Sequence, residues 1–364
     1  MTALDPVGSF AALVRRQGQR AAMALIAAFV VLLVACFVSI HAGAIHIAPL
    51  DAVQLLAGRL GLTEAAPETQ ALATILLDIR LPRIVLGMLT GAGLAVAGVT
   101  LQGLFRNPLA DPGLVGVSTG AALAAATFIV LGRSLAQVLP ADLLRHALPL
   151  AAFAGGLLAT IVVYLVATRE GRTDIATLLL SGVAINAMAA AGIGLLIFLS
   201  SEQELRDLNF WMLGSLNGVT WQRLAVAAPL ILLPTLVLMR FARHLNALLL
   251  GEAEARHLGF RVERMKRLMV GLVALNVGTI VALTGAIGFV GLVVPHLVRL
   301  MMGADHRTLF PLSALLGAAL VLLADMMART LVLPAELPIG ILTALFGGPF
   351  FLWLLLRQRD QGAW

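Results

Sequence analysis

Residues Arg240–Arg267 read RFARHLNALLLGEAEARHLGFRVERMKR, a polar, basic insert between two apolar segments. The insert holds Arg240, Arg243, Arg256, Arg261, Arg264, Lys266 and Arg267, seven of the chain's 25 cations, together with Glu252, Glu254 and Glu263. The rest of the chain is of another kind. Apolar residues make up 60% of the 364, charged residues only 12%, and the mean hydropathy is +0.99. Soluble domains run nearer 45–50% apolar and about 25% charged. The composition is that of a polytopic helical membrane protein, and its one long charged loop is read as the surface that meets something in the water.

A membrane-crossing helix needs about 20 mostly apolar residues. Working outward from the loop, such segments fall at 21–41, 83–105, 114–131, 147–168, 174–199, 222–239, 268–285, 286–302, 309–328 and 338–356, ten in all. The eighth is broken by Gly285, Gly288, Gly291 and Pro295; such a break is tolerated at depth only where protein or a cavity surrounds it. Ten crossings put both termini on one side. An N-terminus inside places 17 cations in the cytoplasm and eight outside, as the positive-inside rule asks. The expected organisation is a cytoplasmic segment 1–20, a ten-helix membrane domain 21–357 that includes the cytoplasmic loop 240–267, and a cytoplasmic tail 358–364. Outside the membrane, Ile47, Leu50, Val53, Leu56, Ala57 and Leu60 recur at helical spacing and predict an interfacial amphipathic helix. Trp211 and Trp221 suit the membrane boundary. Gly87, Gly91 and Gly98, with Thr90, Ala95 and Ala97, give the second crossing a small-residue face for close packing. Gly347-Gly348-Pro349 predicts a bend or loosening of the last one.

Several classes are excluded or weakened. The single cysteine, Cys36, rules out an intramolecular disulfide framework and a multi-cysteine metal site. A pI near 11 invites nucleic acid, but the cations flank membrane segments and are not interleaved with aromatics. No phosphate-binding loop exists, because the only lysine, Lys266, follows Met265 and no Gly-Lys-Ser/Thr occurs. There is no Gly-x-Ser-x-Gly elbow and no His-Glu-x-x-His helix. The seven histidines are scattered, and only His296, beside Pro295 in the broken segment, invites a functional reading. Asp325 is the only acid well inside a crossing. Arg329 lies one turn on and neutralises it, which weakens an ion-coupled secondary transporter as the competing reading.

Five segments carry a resemblance. Leu81-Pro82-Arg83, GAGLAVAGVTLQGLFRNPLADPGLVGVSTGAALAA (Gly91–Ala125), GEAEARHLG (Gly251–Gly259), GFVGLVVPHLVRL (Gly288–Leu300) and ADMMARTLVLPAELPIGILTALFGGPFFLWLL (Ala324–Leu355) resemble the iron-siderophore, haem and vitamin B12 permeases of bacterial ABC importers. The likeness covers about residues 20–357, and the Ala324–Leu355 tail is most similar to the haem permeases. It implies an all-α polytopic fold of ten helices, the type II ABC importer permease fold, in the bacterial inner membrane. It implies a second copy of the chain around a shared path, two cytoplasmic ATPase subunits carrying the ATP-Mg, a periplasmic haem-binding protein above, and membrane lipid around. Haem would be transported cargo, with no cofactor stably bound, no metal site and no catalytic residue in the permease. A ferric siderophore or cobalamin is the alternative cargo.

The resemblance also assigns residues. GEAEARHLG is similar to the family's coupling helix, which places Gly251, Glu252, Ala255, Arg256, Leu258 and Gly259 against the ATPase. Arg80, Arg83 and Arg329 match positions that receive acidic residues of the binding protein, a task suited to the guanidinium fork. Arg80 and Arg83 also have a plain reading as interfacial anchors. Asn107 and Leu109, in the turn Arg106–Pro112, match residues that narrow the inner exit.

Overall fold

The computed structural model describes residues 6–43, 45–59, 70–136 and 140–360. The elements follow in chain order: α1 Pro6–His41, α2 Pro49–Arg59, α3 Gln70–Thr74, α4 Leu81–Leu104, α5 Val117–Ala136 and α6 Ala141–Ala167; β1 Thr168–Arg169 and β2 Arg172–Thr173; then α7 Ile175–Leu199, α8 Glu202–Met212, α9 Trp221–Met239, α10 Ala242–Leu249, α11 Glu252–His257, α12 Val262–Thr284, α13 Val290–Met302, α14 His306–Thr330 and α15 Ile339–Asp360. A π-helical stretch, Ile75–Arg80, joins α3 to α4. Among the described residues, seven helices are long and apolar enough to cross a membrane, and three shorter apolar ones lie within α5, α13 and α15. They coincide in order with the ten expected crossings.

The bundle is organised around α4. Nearly every residue from Pro82 to Leu104 is buried, and α14, α13, α9 and α12 pack about it. Small residues make this possible. A Cβ on Gly91 would lie 2.1 Å from the Gly317 carbonyl oxygen of α14, and one on Gly98 1.8 Å from the Gly291 carbonyl oxygen of α13. Backbone meets backbone there, which only glycine permits. Gly98→Ala is therefore expected to cost about 1–3 kcal/mol through overpacking. The midpoint of thermal unfolding in detergent checks this, and an unchanged midpoint would contradict the packing.

At the periphery the helices present apolar faces outward. Phe29, Leu33, Val34 and Phe37 of α1, and Leu180, Met188 and Phe198 of α7, are exposed. Contiguous apolar surface on that scale marks a membrane or a partner rather than water.

The eighth crossing is broken around Gly285 and Gly288 as expected, but not at Gly291 or Pro295, which lie within α13. Residues 285–289 are irregular, and α13 supplies only 13 helical residues, about 20 Å at 1.5 Å each. The carbonyl freed at the end of α12 is taken up by the irregular segment around Gly214, which in turn accepts from the start of α15. Ser215 N–H donates to the Thr284 carbonyl at 2.7 Å, Ile339 N–H to Gly214 at 3.1 Å, and Gly340 N–H to Leu213 at 3.0 Å. This is the protein-buried exception that irregular backbone at membrane depth needs.

Four expectations change. First, α1 runs without a break across residues 20 and 21, so the start expected at Ala21 is not a helix boundary. Second, α12 begins at Val262, six residues before the expected crossing, and so carries Glu263, Arg264, Lys266 and Arg267 in its first turns. Third, α2 is amphipathic in a different phase. Ile47, Ala52 and Leu55 are buried with Leu76, while Leu50 and Val53 are exposed. A periodicity count cannot tell which of two apolar stripes meets protein and which meets the surface. Fourth, α15 stays helical through Gly347-Gly348-Pro349. Gly347 instead makes room for Phe289, whose ring carbon would stand 2.4 Å from an added Cβ.

Candidate functional site

At one end of the bundle the 240–267 loop folds into α10, α11 and the start of α12. α10 is amphipathic, with Leu245 and Leu248 buried beneath it. Asn246 anchors it to the start of α14, donating to Asp305 Oδ1 at 2.6 Å and accepting from His306 N–H at 2.9 Å. α11 is bracketed by Gly251 at φ +125° and Gly259 at φ +88°, conformations that exclude ordinary side chains. Within it Ala255 is fully buried as the foot of the helix. Arg256 turns along the helix toward Glu252, at 3.3 Å, and toward Glu263 of α12, at 3.4 Å. Leu258 at the C-terminal end is 60% exposed, an apolar side chain offered outward from a charged loop.

The six residues assigned to this helix thus divide by physical role. Gly251 and Gly259 set its ends, Ala255 seats it, Glu252 turns inward, Arg256 lies exposed across Glu252 and Glu263, and Leu258 projects. Ala253, Glu254 and His257 share the exposed face. The motif did not single them out, because exposure depends on how the helix sits rather than on residue type.

Asn107 and Leu109 lie in the turn that follows α4. Asn107 N–H donates to the Gln102 carbonyl at 3.1 Å, and its Oδ1 accepts from Leu109 N–H at 2.9 Å. Both residues are half-buried. The turn is constrained from both sides: Arg106 takes φ +49°, and Asp111 caps the short 3-10 turn Pro112–Val115 by accepting from Gly113 N–H at 2.7 Å. Burial pushes the Asp111 carboxyl above the usual carboxylate range, with that N–H acting against it. Gln102 ties the turn to α13, donating to the Leu292 carbonyl at 3.3 Å and accepting from Arg299 at 3.3 Å. His296 is buried in the same helix, beside Arg299 and Pro108.

At the opposite end Arg80, Arg83 and Arg329 come together, but none projects into solvent. They are 5%, 6% and 7% exposed. Arg83 donates through Nε to Asp325 Oδ1 at 2.9 Å and through Nη1 to Glu336 at 3.0 Å. Arg329 Nε lies 3.1 Å from Asp325 Oδ2, and its Nη2 donates to Ser39 Oγ at 2.9 Å. Arg80 donates to the carbonyls of Ile40 and Ile45. Asp325 is therefore shared between two guanidiniums rather than neutralised by Arg329 alone, and Glu336 is a partner the sequence did not suggest. No spacing rule relates positions 83, 325 and 336; only the packing of α4 against α14 brings them together.

Among the described residues no group of three or more His, Cys, Asp or Glu is placed to hold a metal ion. What the geometry defines is a helical membrane bundle with a constrained short helix at one end and a buried charge cluster at the other. That is the form of a transport subunit.

The comparisons agree. The profile of the FecCD transport family matches residues 31–357, and the chain belongs to that family. It is 50% identical to the hemin transport system permease protein HmuU of Yersinia pestis over 288 residues, 79% of this chain and 84% of that one. To the cobalamin import system permease protein BtuC of Halobacterium salinarum it is 46% identical over 297 residues, 82% of this chain and 76% of the relative. A vitamin B12 import system permease BtuC of Escherichia coli is 43% identical over 78% and 83% of the two chains. Among solved structures, a metal-chelate type ABC transporter in an inward-facing conformation matches with a TM-score of 0.78 at 32% identity, over 92% of this chain and 98% of that one. The chain is an all-α, multi-pass permease subunit of the type II importer fold.

Proposed function

We propose that the chain is the membrane subunit of an ATP-driven importer that moves haem from the periplasm to the cytoplasm. The observation that carries the cargo is the 50% identity to a hemin permease across 84% of its length. In this reading the protein sits in the inner membrane with both termini and the α10–α11 end in the cytoplasm, as the cation distribution favours. Two copies pair around a path, two ATPase subunits bind beneath and hydrolyse ATP-Mg, and a haem-binding protein docks above. The exposed, outward-turned face of α7 suits burial against a second copy.

α11 is the coupling helix in this reading. Gly251, Glu252, Ala255, Arg256 and Gly259 shape and hold it, while Leu258 makes the contact. Asn107 and Leu109 narrow the inner exit. Arg80, Arg83 and Arg329 form the docking end, with one change from the sequence expectation: a carboxylate of the binding protein would reach Arg83 by replacing Glu336, whose side chain is 39% exposed. Arg80 and Arg329 then hold the platform.

The test is reconstitution in proteoliposomes with the ATPase and the binding protein. Haem-loaded binding protein is expected to stimulate ATP hydrolysis severalfold more than binding protein loaded with a ferric siderophore or cobalamin. Equal stimulation by either would overturn the haem assignment and leave the importer class standing.

A further inference from the structure

Lys266 is the only lysine in the chain, yet it is 3% exposed in a segment otherwise rich in solvated arginines. An ammonium has three donors, and all three are used here on three different elements. Nζ lies 2.7 Å from Glu252 Oε1 of α11, 3.5 Å from Glu263 Oε1 in the first turn of α12, and 3.0 Å from the Thr173 carbonyl of β2. Glu263 closes the ring, its Oε2 accepting from Thr173 N–H at 2.9 Å. Arg256 bridges Glu252 and Glu263 from outside. Two cations and two carboxylates are therefore balanced, and both backbone groups of Thr173 are engaged.

Thr173 belongs to the hairpin between α6 and α7, whose tight turn places Glu170 at φ +53° and Gly171 at φ +75°. Asp174 follows at once and caps α7, accepting from Thr177 N–H at 2.8 Å. Thr177's hydroxyl and amide hold that carboxyl below the usual carboxylate range. The hairpin is thus continuous with the first turn of α7. A helix of six residues has no stability of its own. α11 is held by Ala255 beneath it and by this charge cluster, and without the cluster a push on it would be absorbed locally.

We propose that Lys266 is a positioning residue that clamps α11 simultaneously to α12 and, through the 168–173 hairpin, to α7, so that a displacement of α11 moves both spans together. The compact, three-donor ammonium suits the task, since its partners converge from three directions rather than lying in one plane. Glu252 then acts inward on Lys266. The inference rests on α11 being the ATPase contact.

Two measurements test it. In proteoliposomes holding the permease, its ATPase and haem-loaded binding protein, Lys266→Met is expected to lower haem moved per ATP hydrolysed at least fivefold, and Lys266→Arg to recover part of the loss. A Lys266→Met ratio equal to wild type overturns the role in transmission. The second readout uses the permease alone and does not depend on the ATPase reading. Reductive methylation followed by peptide mapping reports the one lysine separately from the N-terminal amine. Lys266 is expected to react at least tenfold more slowly than a surface lysine introduced by Arg261→Lys. In Glu252→Gln its rate is expected to rise at least fivefold. Fast labelling in wild type, or no change in Glu252→Gln, overturns the clamp itself. If the labelling behaves as expected while Leu258→Asp leaves ATPase association intact, the clamp stands and the placement of the ATPase contact on α11 is what fails.

Discussion

Replacing Asp325 with alanine is expected to destabilise the protein by about 3–5 kcal/mol, the cost of leaving a buried charge without its partner. Asp325 is 1% exposed and faces Arg83 on one oxygen and Arg329 near the other. Its removal leaves two guanidiniums, both buried, in mutual repulsion with only Glu336, Ser39 and backbone carbonyls to bond. Asp325→Asn keeps an acceptor but not the charge, and is expected to fall between alanine and wild type. Glu336→Gln is expected to cost less than about 1 kcal/mol, because its partly exposed carboxylate is screened by water. Thermal unfolding in detergent, together with the amount of protein recovered folded from membranes, reads all three. A loss below about 1 kcal/mol in Asp325→Ala would mean that the arginines relax to water and that the cluster is not structural. The same geometry makes Arg83→Glu a damaging change on its own, so a docking defect in that variant counts only where folded protein is first shown.

The second large effect is on assembly. Leu258→Asp is expected to weaken association with the ATPase subunit at least tenfold, since burying a leucine side chain is worth about 1.5–3 kcal/mol. The substitution touches nothing inside the permease: Leu258 is largely exposed at the end of α11, and its backbone N–H, bonded to the Glu254 carbonyl, is retained. The unfolding midpoint should therefore stay within a degree or two of wild type while co-purification of the ATPase falls. Unchanged co-purification would move the contact elsewhere on the loop. Arg256→Ala is expected to have a smaller effect on association, because its guanidinium already bonds Glu252 and Glu263.

The crossings were legible because a run of about 20 apolar residues has few alternatives in a membrane. The weak eighth segment was legible as an interrupted one, but the break falls at 285–289, and α13 runs helically through Gly291 and Pro295. What escaped was orientation about each helix axis. α2 shows two apolar stripes, and only its packing on Ile47 and Leu76 decides which is inside. The start of α12 escaped for a related reason. Arg264, Lys266 and Arg267 look like loop residues by charge, yet Lys266 is helical and buried because carboxylates from elsewhere reach it. The candidate site divides in the same way. The GEAEARHLG motif marked α11 and its glycine ends, but not that Glu252 faces inward and His257 outward. The three arginines do come together in the structure, but their burial was not legible.

By itself, then, the sequence determined an all-helical, multi-pass membrane protein, the family to which it belongs and the short helix α11. Hydropathy and glycine placement act over neighbouring residues and leave their mark in linear order. Only the tertiary structure decided which charges are spoken for: Arg83 with Asp325 and Glu336, and Lys266 with Glu252, Glu263 and Thr173. These partners lie up to 253 residues apart, as for Arg83 and Glu336. Ionic pairing at a buried site depends on distance in space and on exclusion of water, and neither is written in the order of the chain.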